Sequence, residues 1–291
     1  MYCLYKNSNH LKVAGLSYGY SDGLNLTGIT DTVTAANSLS LWNDNVGELT
    51  QANGPWGAAN YSYGTGNNRT YEITTPSGGA TTTKITWYPS TSNRMSSVST
   101  NGTSTRSYSY DAAGNLTVDQ QGSDTYTTTY NVRNRPVQVV RTGTASATSS
   151  YVYNGLEQMV TRTTTAVGGP TGAVYYYYDL AGNLIGEGNA TAIQREYIWL
   201  PQDAGDTGPS ALPLALVTAV TGTPVISMVH ADHLNRPIRM TSSAKATVWS
   251  ATWKPFGEPY ALSGTIENNL RFPGQYFLIE TGQAYSNGAS A

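Results

Sequence analysis

Charge is what this sequence has least of. Only 12% of its 291 residues are Asp, Glu, Lys or Arg, about half the share usual in a soluble domain. The formal net charge is -2 and neither sign forms a run. With no basic stripe to meet phosphates, nucleic acid is not an expected partner. Cysteine is nearly absent: the single Cys3 rules out an internal disulfide framework and a multi-cysteine zinc site. No apolar run reaches the roughly 18–20 residues of a membrane helix; the longest, Leu212 to Val220, is interrupted by Pro213. The first residues, MYCLYKNSNHLKVAGL, hold no continuous apolar region and hence no signal-peptide pattern. Leu, Glu, Lys and Ala rarely fall together at helical spacing, so helices are not expected either.

Tyrosine is abundant instead, with 22 Tyr against 3 Phe and 6 Trp. Tyr, Thr and Val suit a pleated, half-wet sheet, while Gly and Asn suit tight turns. The expectation is an all-β protein.

Self-similarity then organises the chain. Tyr110 to Thr117 reads YDAAGNLT and Tyr178 to Ile185 reads YDLAGNLI. The same frame opens at Tyr20 (YSDGLNLT), Tyr63 (YGTGNNRT), Tyr88 (YPSTSNRM), Tyr130 (YNVRNRPV) and Tyr153 (YNGLEQMV), with a weaker copy, NDNVGELT, from Asn43. Starts at 20, 43, 63, 88, 110, 130, 153 and 178 are separated by 23, 20, 25, 22, 20, 23 and 25 residues. A second aromatic often precedes the first by two positions (Tyr18, Tyr61, Tyr108, Tyr151, Tyr176), and period two puts both rings on one face of a strand. Asp111 with Gly114 and Asn115, and Asp179 with Gly182 and Asn183, carry turn chemistry: Gly and Asn tolerate positive φ, and Asp caps its own backbone. Each copy is therefore one hairpin, of strand, tight turn and strand. Where the turn glycine is replaced, by Leu24, Asn67, Ser92, Asn134 or Glu157, a looser or different turn is expected. Hairpins in series must pair edge to edge, burying each Tyr row against the next. The expected product is a long, curved antiparallel sheet of successive hairpins.

Boundaries follow from these patterns: an N-terminal strand or partial repeat over 1–17, a hairpin array over 18–200, a Gly/Pro-rich linker or loop over 201–224, further strands over 225–282 and a frayed tail over 283–291.

Chemistry-bearing residues are few. The histidines are His10, His230 and His233; in HADH, Asp232 lies between the last two, but on a strand the two rings point to opposite faces, which disfavours joint metal ligation. No G-x-S-x-G elbow, phosphate loop or dinucleotide fingerprint occurs, and no carboxylate pair stands out. The sequons at Asn25, Asn68 and Asn115 fall out of the repeat's own Asn-Leu-Thr wording. No catalytic, cofactor-binding or metal residue is assigned, and the chain is not expected to be an enzyme. Tyr and Asn rows can in principle stack on sugars, though packing within the sheet is their more economical use. Exposed aromatics outside the repeat are better candidates for glycans.

The Y-D-x-x-G-N-L repeat resembles that of the Rhs/YD-repeat family, and the C-terminal third resembles the family's Rhs-associated core. The matching strings are HADHLNRPIRMT, with His230, Asp232 and His233; WKPFGE, with Pro255, Phe256 and Gly257; NLRFPGQYF, with Arg271, Phe272, Pro273, Gly274 and Gln275; and ETG from Glu280. The likeness runs from Tyr18 to Gly282. It implies a fragment of a spiralling β-cocoon shell that, in polymorphic toxins, encloses a C-terminal toxin and is exported or held at the cell surface. The partners it implies are the remainder of the shell and that cargo. After ETG the family continues into a Tyr-rich segment and a D-P-x-G stretch resembling an aspartyl autoprotease site. Neither the stretch nor a cargo is present here, so a C-terminally truncated shell segment is expected. Two alternatives are a cell-surface adhesin or carbohydrate-binding module and a remnant without independent activity.

Overall fold

The structure is a computed structural model that describes residues 13–166, 171–201, 210 and 212–286. Its first strands are β1 (Leu16–Tyr20), β2 (Leu26–Asp31), β3 (Leu39–Asn43), β4 (Leu49–Gly54), β5 (Gly57–Tyr63), β6 (Arg69–Thr75), β7 (Thr82–Trp87), β8 (Ser97–Thr100) and β9 (Thr103–Tyr110). Then come β10 (Leu116–Gln121), β11 (Asp124–Tyr130), β12 (Pro136–Thr142), β13 (Ala147–Tyr153), β14 (Met159–Ala166), β15 (Gly172–Tyr178), β16 (Leu184–Gly188) and β17 (Ile193–Trp199). The last are β18 (Pro213–Thr218), β19 (Val225–Ala231), β20 (Pro237–Thr241), β21 (Thr247–Trp253), β22 (Pro259–Gly264), β23 (Gln275–Leu278) and β24 (Gln283–Ser286). The first 22 belong to one antiparallel sheet and β23–β24 to a two-stranded one. Among the described residues the only helices are 3-10 turns at Ala35–Asn37 and Thr65–Asn67. None is long and apolar enough to cross a membrane. The chain is all-β, as its composition implies.

By internal contacts it divides into two units. Unit 1 holds the described part of Met1–Ser109 with Asp119–Gly122 and Thr252–Ala261; unit 2 holds Tyr110–Val118, Ser123–Ala251 and the described part of Leu262–Ala291. In unit 1, β1 to β9 pair each with the next. In unit 2, β11 to β21 do the same. Each is a meander in which sequence neighbours are spatial neighbours.

The repeat's wording becomes a single turn. At Asp111, the backbone N–H donates to Asn115 O (3.0 Å) and receives a return bond from Gly114 N–H to Asp111 O (3.1 Å). The Asp111 carboxylate accepts both the backbone N–H and the side-chain amide of Asn115, at 2.9 and 2.8 Å. These bonds hold its carboxyl below the ordinary Asp range. The same backbone pair recurs at Ser21, Asp44, Asn131, Asn154, Asp179, Asp232, Ser242 and Lys254. The fourth residue is left-handed in each: Gly47, Gly114, Gly182 and Gly257, but also Leu24 (φ 60), Asn134 (φ 59), Glu157 (φ 64), Asn235 (φ 58) and Lys245 (φ 63). Loss of glycine therefore does not change the turn at Leu24, Asn134 or Glu157, contrary to the expectation of looser hairpins. The side-chain cap and the flanking strands hold these residues in a conformation that costs a non-glycine roughly 1–2 kcal/mol. The copy at Tyr88 does depart: Ser92 donates to Pro89 O (3.1 Å) and the connection runs from Trp87 to Ser97.

Each repeat is also tied to the one before it. The hydroxyls of Tyr63, Tyr130, Tyr153 and Tyr178 donate to the carbonyls of Leu49, Leu116, Pro136 and Met159 at 2.7–3.0 Å. Tyr88 does the same to Arg69 O at 3.2 Å. In every case the acceptor is the first residue of the preceding strand. In the hairpin before, the register shifts at Asn43 opposite Leu49, Tyr63 opposite Arg69, Tyr130 opposite Pro136 and Tyr153 opposite Met159, so the ladder is interrupted where these four carbonyls lie. Two further positions use the link with other donors: Asn43 Nδ2 to Leu26 O (3.2 Å) and Trp199 Nε1 to Leu184 O (2.8 Å). Trp199 thus closes a hairpin that a search for Tyr passes over. Tyr20, at the end of β1, is exposed.

The core of unit 1 gathers Leu41, Ala52, Trp56, Ala59 and Tyr61. It is covered by the Lys254–Glu258 turn, whose Phe256 ring meets Tyr61 edge-on at 5.0 Å while the Arg69 guanidinium lies 4.0 Å from the Phe256 centroid.

Two expected boundaries change. Of the 201–224 linker, 202–209 and 211 lie outside the described residues, but Pro213–Thr218 is a strand paired on both sides. The Gly/Pro-rich composition stops at Pro213, which opens the strand, where a missing N–H is tolerated; the apolar residues after it pair normally. In the 283–291 tail, Gln283–Ser286 pairs with β23, while 287–291 lie outside the described residues, as do 1–12 with Cys3 and His10.

Two outcomes are expected in urea unfolding. Tyr153→Phe keeps the ring but leaves the Pro136 carbonyl unmet, and should lower stability by about 0.5–1.5 kcal/mol. Leu24→Gly removes an exposed side chain from a left-handed position and should raise stability by about 1 kcal/mol.

Candidate functional site

Strand alternation and register put Tyr151, Arg162, Tyr176, Glu187, Arg195 and Tyr197 on one face of unit 2. Tyr151 pairs with Arg162, Tyr176 with Glu187 and Glu187 with Arg195, and directly opposed residues share a face. Residues 267–281 pack on that face. Arg162 Nη1 donates to Glu280 Oε2 at 2.9 Å and the Tyr151 hydroxyl to Glu280 Oε1 at 3.4 Å. Glu187 accepts from Arg195 Nη1 (2.7 Å) and Tyr197 (3.2 Å) on one oxygen, and from Tyr276 on the other. Arg195 Nη2 reaches Glu267 at 2.7 Å. Asn269 Nδ2 donates to Glu267 (2.7 Å) and to the Tyr276 hydroxyl (3.0 Å). The Tyr276 ring meets Tyr176 edge-on at 5.4 Å.

This is a charged cluster in a chain poor in charge, and most of it is out of water: Arg162, Glu187 and Glu280 are buried. Burial, joined by the neighbouring carboxylates, drives Tyr151 and Tyr197 well above the ordinary phenol range. Burial with Tyr197 and Glu187 does the same to Tyr276. Burial thus favours the protonated, donating form of these phenols. Burial pushes Glu267 up, but hydrogen bonds from Arg195 and Asn269 outweigh it and leave the carboxyl below its ordinary range. Arg271 is pushed down to about 10, chiefly by burial. The bonds shown for the cluster are structural: Glu187 has donors on both oxygens, and Glu280 is held by an arginine and a tyrosine.

The residues assigned from sequence do not converge on one place. Asp232 caps its turn and pairs with Arg236 at 2.8 Å, so HADHLNR is another copy of the repeat turn. His230 Nε2 lies 2.9 Å from Thr241 Oγ1, on the strand, whereas His233 is in the turn. Pro255, Phe256 and Gly257 form a turn of unit 1. Arg271 to Gln275 is the head of a hairpin: Gln275 N–H donates to Phe272 O (2.8 Å), with Pro273 leading and Gly274 at φ 73, a type II turn. It is joined to the Asp232 turn by Arg236, 4.9 Å from the Phe272 centroid. The repeat residues Asp111, Asn115, Asp179 and Asn183 form the turns described above. Among the described residues no group of three or more His, Cys, Asp or Glu is placed to hold a metal. Beside the RFPGQ turn lies a cavity of about 200 Å³, walled by Met159, Tyr178, Leu184, Trp199 and Phe272 with Asn183 at its edge.

The motif search missed Arg162, Glu187, Arg195 and Glu267. One signal was available: in a sequence with so few charges, a charged residue at the same strand parity as the inward tyrosines points to the covered face of the sheet.

Removing one partner of a buried pair leaves the other uncompensated. Arg162→Met should cost about 3–5 kcal/mol, and adding Glu280→Met should cost less than the sum, which a double-mutant cycle in urea reads directly. Glu267 has a depressed carboxyl, so its stabilisation is present above the unfolded value of 4.5 and disappears as pH falls through the lower folded value. Glu267→Gln should therefore lower the urea midpoint at pH 7, with the difference shrinking as the pH falls below 4.5.

No protein-family model matches the chain, and no curated protein does. Among solved structures it is similar to the crystal structure of TcdB2-TccC3, with 12% identity and a TM-score of 0.43 over 93% of this chain and 19% of that one. It is similar to that of TcdB2-TccC3-TEV, at 11% identity and a TM-score of 0.43 over 94% and 19%. A third is the Photorhabdus luminescens Tc holotoxin pore with a mutated TccC3, at 10% identity and a TM-score of 0.45 over 93% and 19%. This chain thus spans about a fifth of the length of these solved chains.

Proposed function

We propose that this chain is a length of structural wall from a YD-repeat shell, without catalytic activity of its own. One observation carries the reading: the repeat spends its polar groups on the wall itself. Tyr63, Tyr88, Tyr130, Tyr153 and Tyr178, with Asn43 and Trp199 in the same place, donate to the preceding strand, and Asp111, Asn131, Asn154 and Asp179 cap their own turns. Little is left over for a ligand on that face.

The shell reading extends to the intact protein through the motif resemblance. Strings such as YDAAGNL and RFPGQYF resemble those of exported shells that enclose a C-terminal toxin. In this chain the segment that ends in ETG is pinned to the sheet by Glu280, Tyr276 and Glu267. Fixing that segment would fix where a following cargo leaves the wall. The enclosed toxin and the remaining shell are then the partners, and the site of action lies outside the producing cell.

The genetic locus tests this. The expected finding is repeat-coding sequence before the encoded residues and, after them, a segment that arrests bacterial growth when expressed alone but not within the intact shell. A locus with no further YD hairpins and no toxic segment would sink the proposal, as would turnover of ester, glycoside, peptide or phosphodiester substrates by the purified chain.

A further inference from the structure

The same corner of the repeat is built in both units and closed differently. In unit 1, Tyr63 donates to Leu49 O, Tyr61 lies two residues before it in the core, and Arg69 pairs with Tyr63 at the start of the next strand. The Phe256 ring fills that corner: it meets Tyr61 edge-on at 5.0 Å and has the Arg69 guanidinium 4.0 Å from its centroid. In unit 2 the residues in the same places are Tyr178, which donates to Met159 O, Tyr176, and Leu184, which pairs with Tyr178. Here the corner holds the cavity of about 200 Å³, bounded on its far side by the hairpin head at Phe272. Trp199, whose Nε1 donates to Leu184 O at 2.8 Å, closes a further side.

The chemistry of this cavity is one-sided. The polar tips of Tyr178 and Trp199 are spent on the links to Met159 and Leu184, so ring surface is what these two side chains have left to offer. Met159, Leu184 and Phe272 add thioether, aliphatic and phenyl surface, and a thioether attracts an aromatic edge. Among the described residues that wall the cavity, Arg271 alone is charged, and its Nη1 is held by the carbonyls of Asn268 and Leu270 at 3.0 and 2.9 Å. A cationic ligand would share the space with that arginine, and a carboxylate would lose its water against apolar walls. Size narrows the choice further. An apolar cavity of about 150 Å³ takes up benzene, so about 200 Å³ suits one ring or two fused rings.

We infer that this cavity is a binding site for a small, neutral, planar aromatic molecule of the size of indole, taken up between Met159, Tyr178, Leu184, Trp199 and Phe272. The ligand repeats what Phe256 does in unit 1: an aromatic ring seated at the start of a strand, beside the inward tyrosine. Offset or edge-to-face contact with Trp199 and Phe272 orients it, and the neutral amide of Gln275, which lines the cavity, gives one N–H or O–H a partner. The Tyr178 and Trp199 links fix the walls before the ligand arrives, so little ordering opposes binding. The inference does not rest on the wall reading, since a cavity of this kind serves a shell segment and a free-standing module alike.

The test is NMR of the full chain carrying methyl-labelled methionine, titrated with indole and, for comparison, with benzoate and phenethylammonium. The Met159 methyl, identified by its loss in Met159→Leu, should shift in the ring current of indole with a dissociation constant of about 0.1 mM. The exposed Met95 and Met228 should stay where they are. Benzoate and phenethylammonium should each bind at least about tenfold more weakly, for the desolvation of their charge. Phe272→Ala removes one wall and should weaken indole binding by about tenfold. Ala181→Trp, at an exposed turn residue that also lines the cavity, should obstruct it and weaken binding by a similar factor. Both side chains sit on turns, so both variants should keep the circular dichroism spectrum of the parent. The proposal is overturned if the Met159 methyl does not move up to the solubility limit of indole, or if Met95 or Met228 moves as much. It is overturned too if either ion binds as tightly as indole, or if either variant binds indole as the parent does.

Discussion

A single hydrogen bond sets the terms for most of this protein: the donor at the end of one strand reaching the first carbonyl of the strand before it. The turn that joins two strands introduces a bulge, and a bulge interrupts the ladder. The carbonyl beside it would otherwise be left half-buried without a partner, a loss comparable to a whole hydrogen bond. Tyrosine solves the problem because its ring spans the gap while packing on the neighbouring strand, and its hydroxyl arrives at the carbonyl. Phenylalanine would pack equally well and bond nothing, which accounts for tyrosine at positions 63, 88, 130, 153 and 178. Where tyrosine is missing, at Asn43 and Trp199, the replacement still carries an N–H donor. The constraint is on the donor, not on the residue name.

Once the link and the turn are secured, the rest of each repeat can vary. The fourth turn residue is Gly at some copies and Leu, Asn or Glu at others, all left-handed. The side-chain cap and the paired strands impose the backbone conformation, and the residue there bears the strain. This also accounts for the C-terminal strings that look distinct in sequence. HADHLNR and KPFGE are further copies of the same turn, with Asp232 and Lys254 in the place of Asp111; what sets them apart is what their side chains meet, Phe272 in one case and Tyr61 with Arg69 in the other.

Charge is used sparingly, and one group of it ties a segment to the sheet. Arg162, Glu187, Arg195, Glu267 and Glu280 join strands far apart in sequence to the segment around Tyr276. An apolar contact of the same area would stabilise the segment equally well, since desolvation consumes much of the gain from a buried pair. What the ion pairs add is position: a carboxylate with donors on both oxygens cannot slide along the sheet without stranding a charge.

The strands and turns were legible because their causes are local. Period-two aromatics, Asp or Asn at the turn start and a spacing of about 20–25 residues are all properties of neighbouring residues. They placed the copies at Tyr63, Tyr110, Tyr130, Tyr153 and Tyr178 and the all-β class. The strand at Pro213–Thr218 was hidden by the Gly/Pro-rich stretch before it, and the pairing of Gln283–Ser286 by a composition that is small and polar. The buried network lay beyond any local rule, because Arg162 and Glu280 stand 118 positions apart, and only the folded chain decides which charge meets which. The same holds for the cavity between Met159, Leu184 and Phe272: the repeat supplies its tyrosine wall, but the facing wall comes from the distant RFPGQ hairpin. The sequence by itself determined the hairpins and their order; the tertiary structure alone decided the partners of the buried charges and the cavity beside that hairpin, since both depend on which strands and hairpins meet and not on the wording of any one repeat.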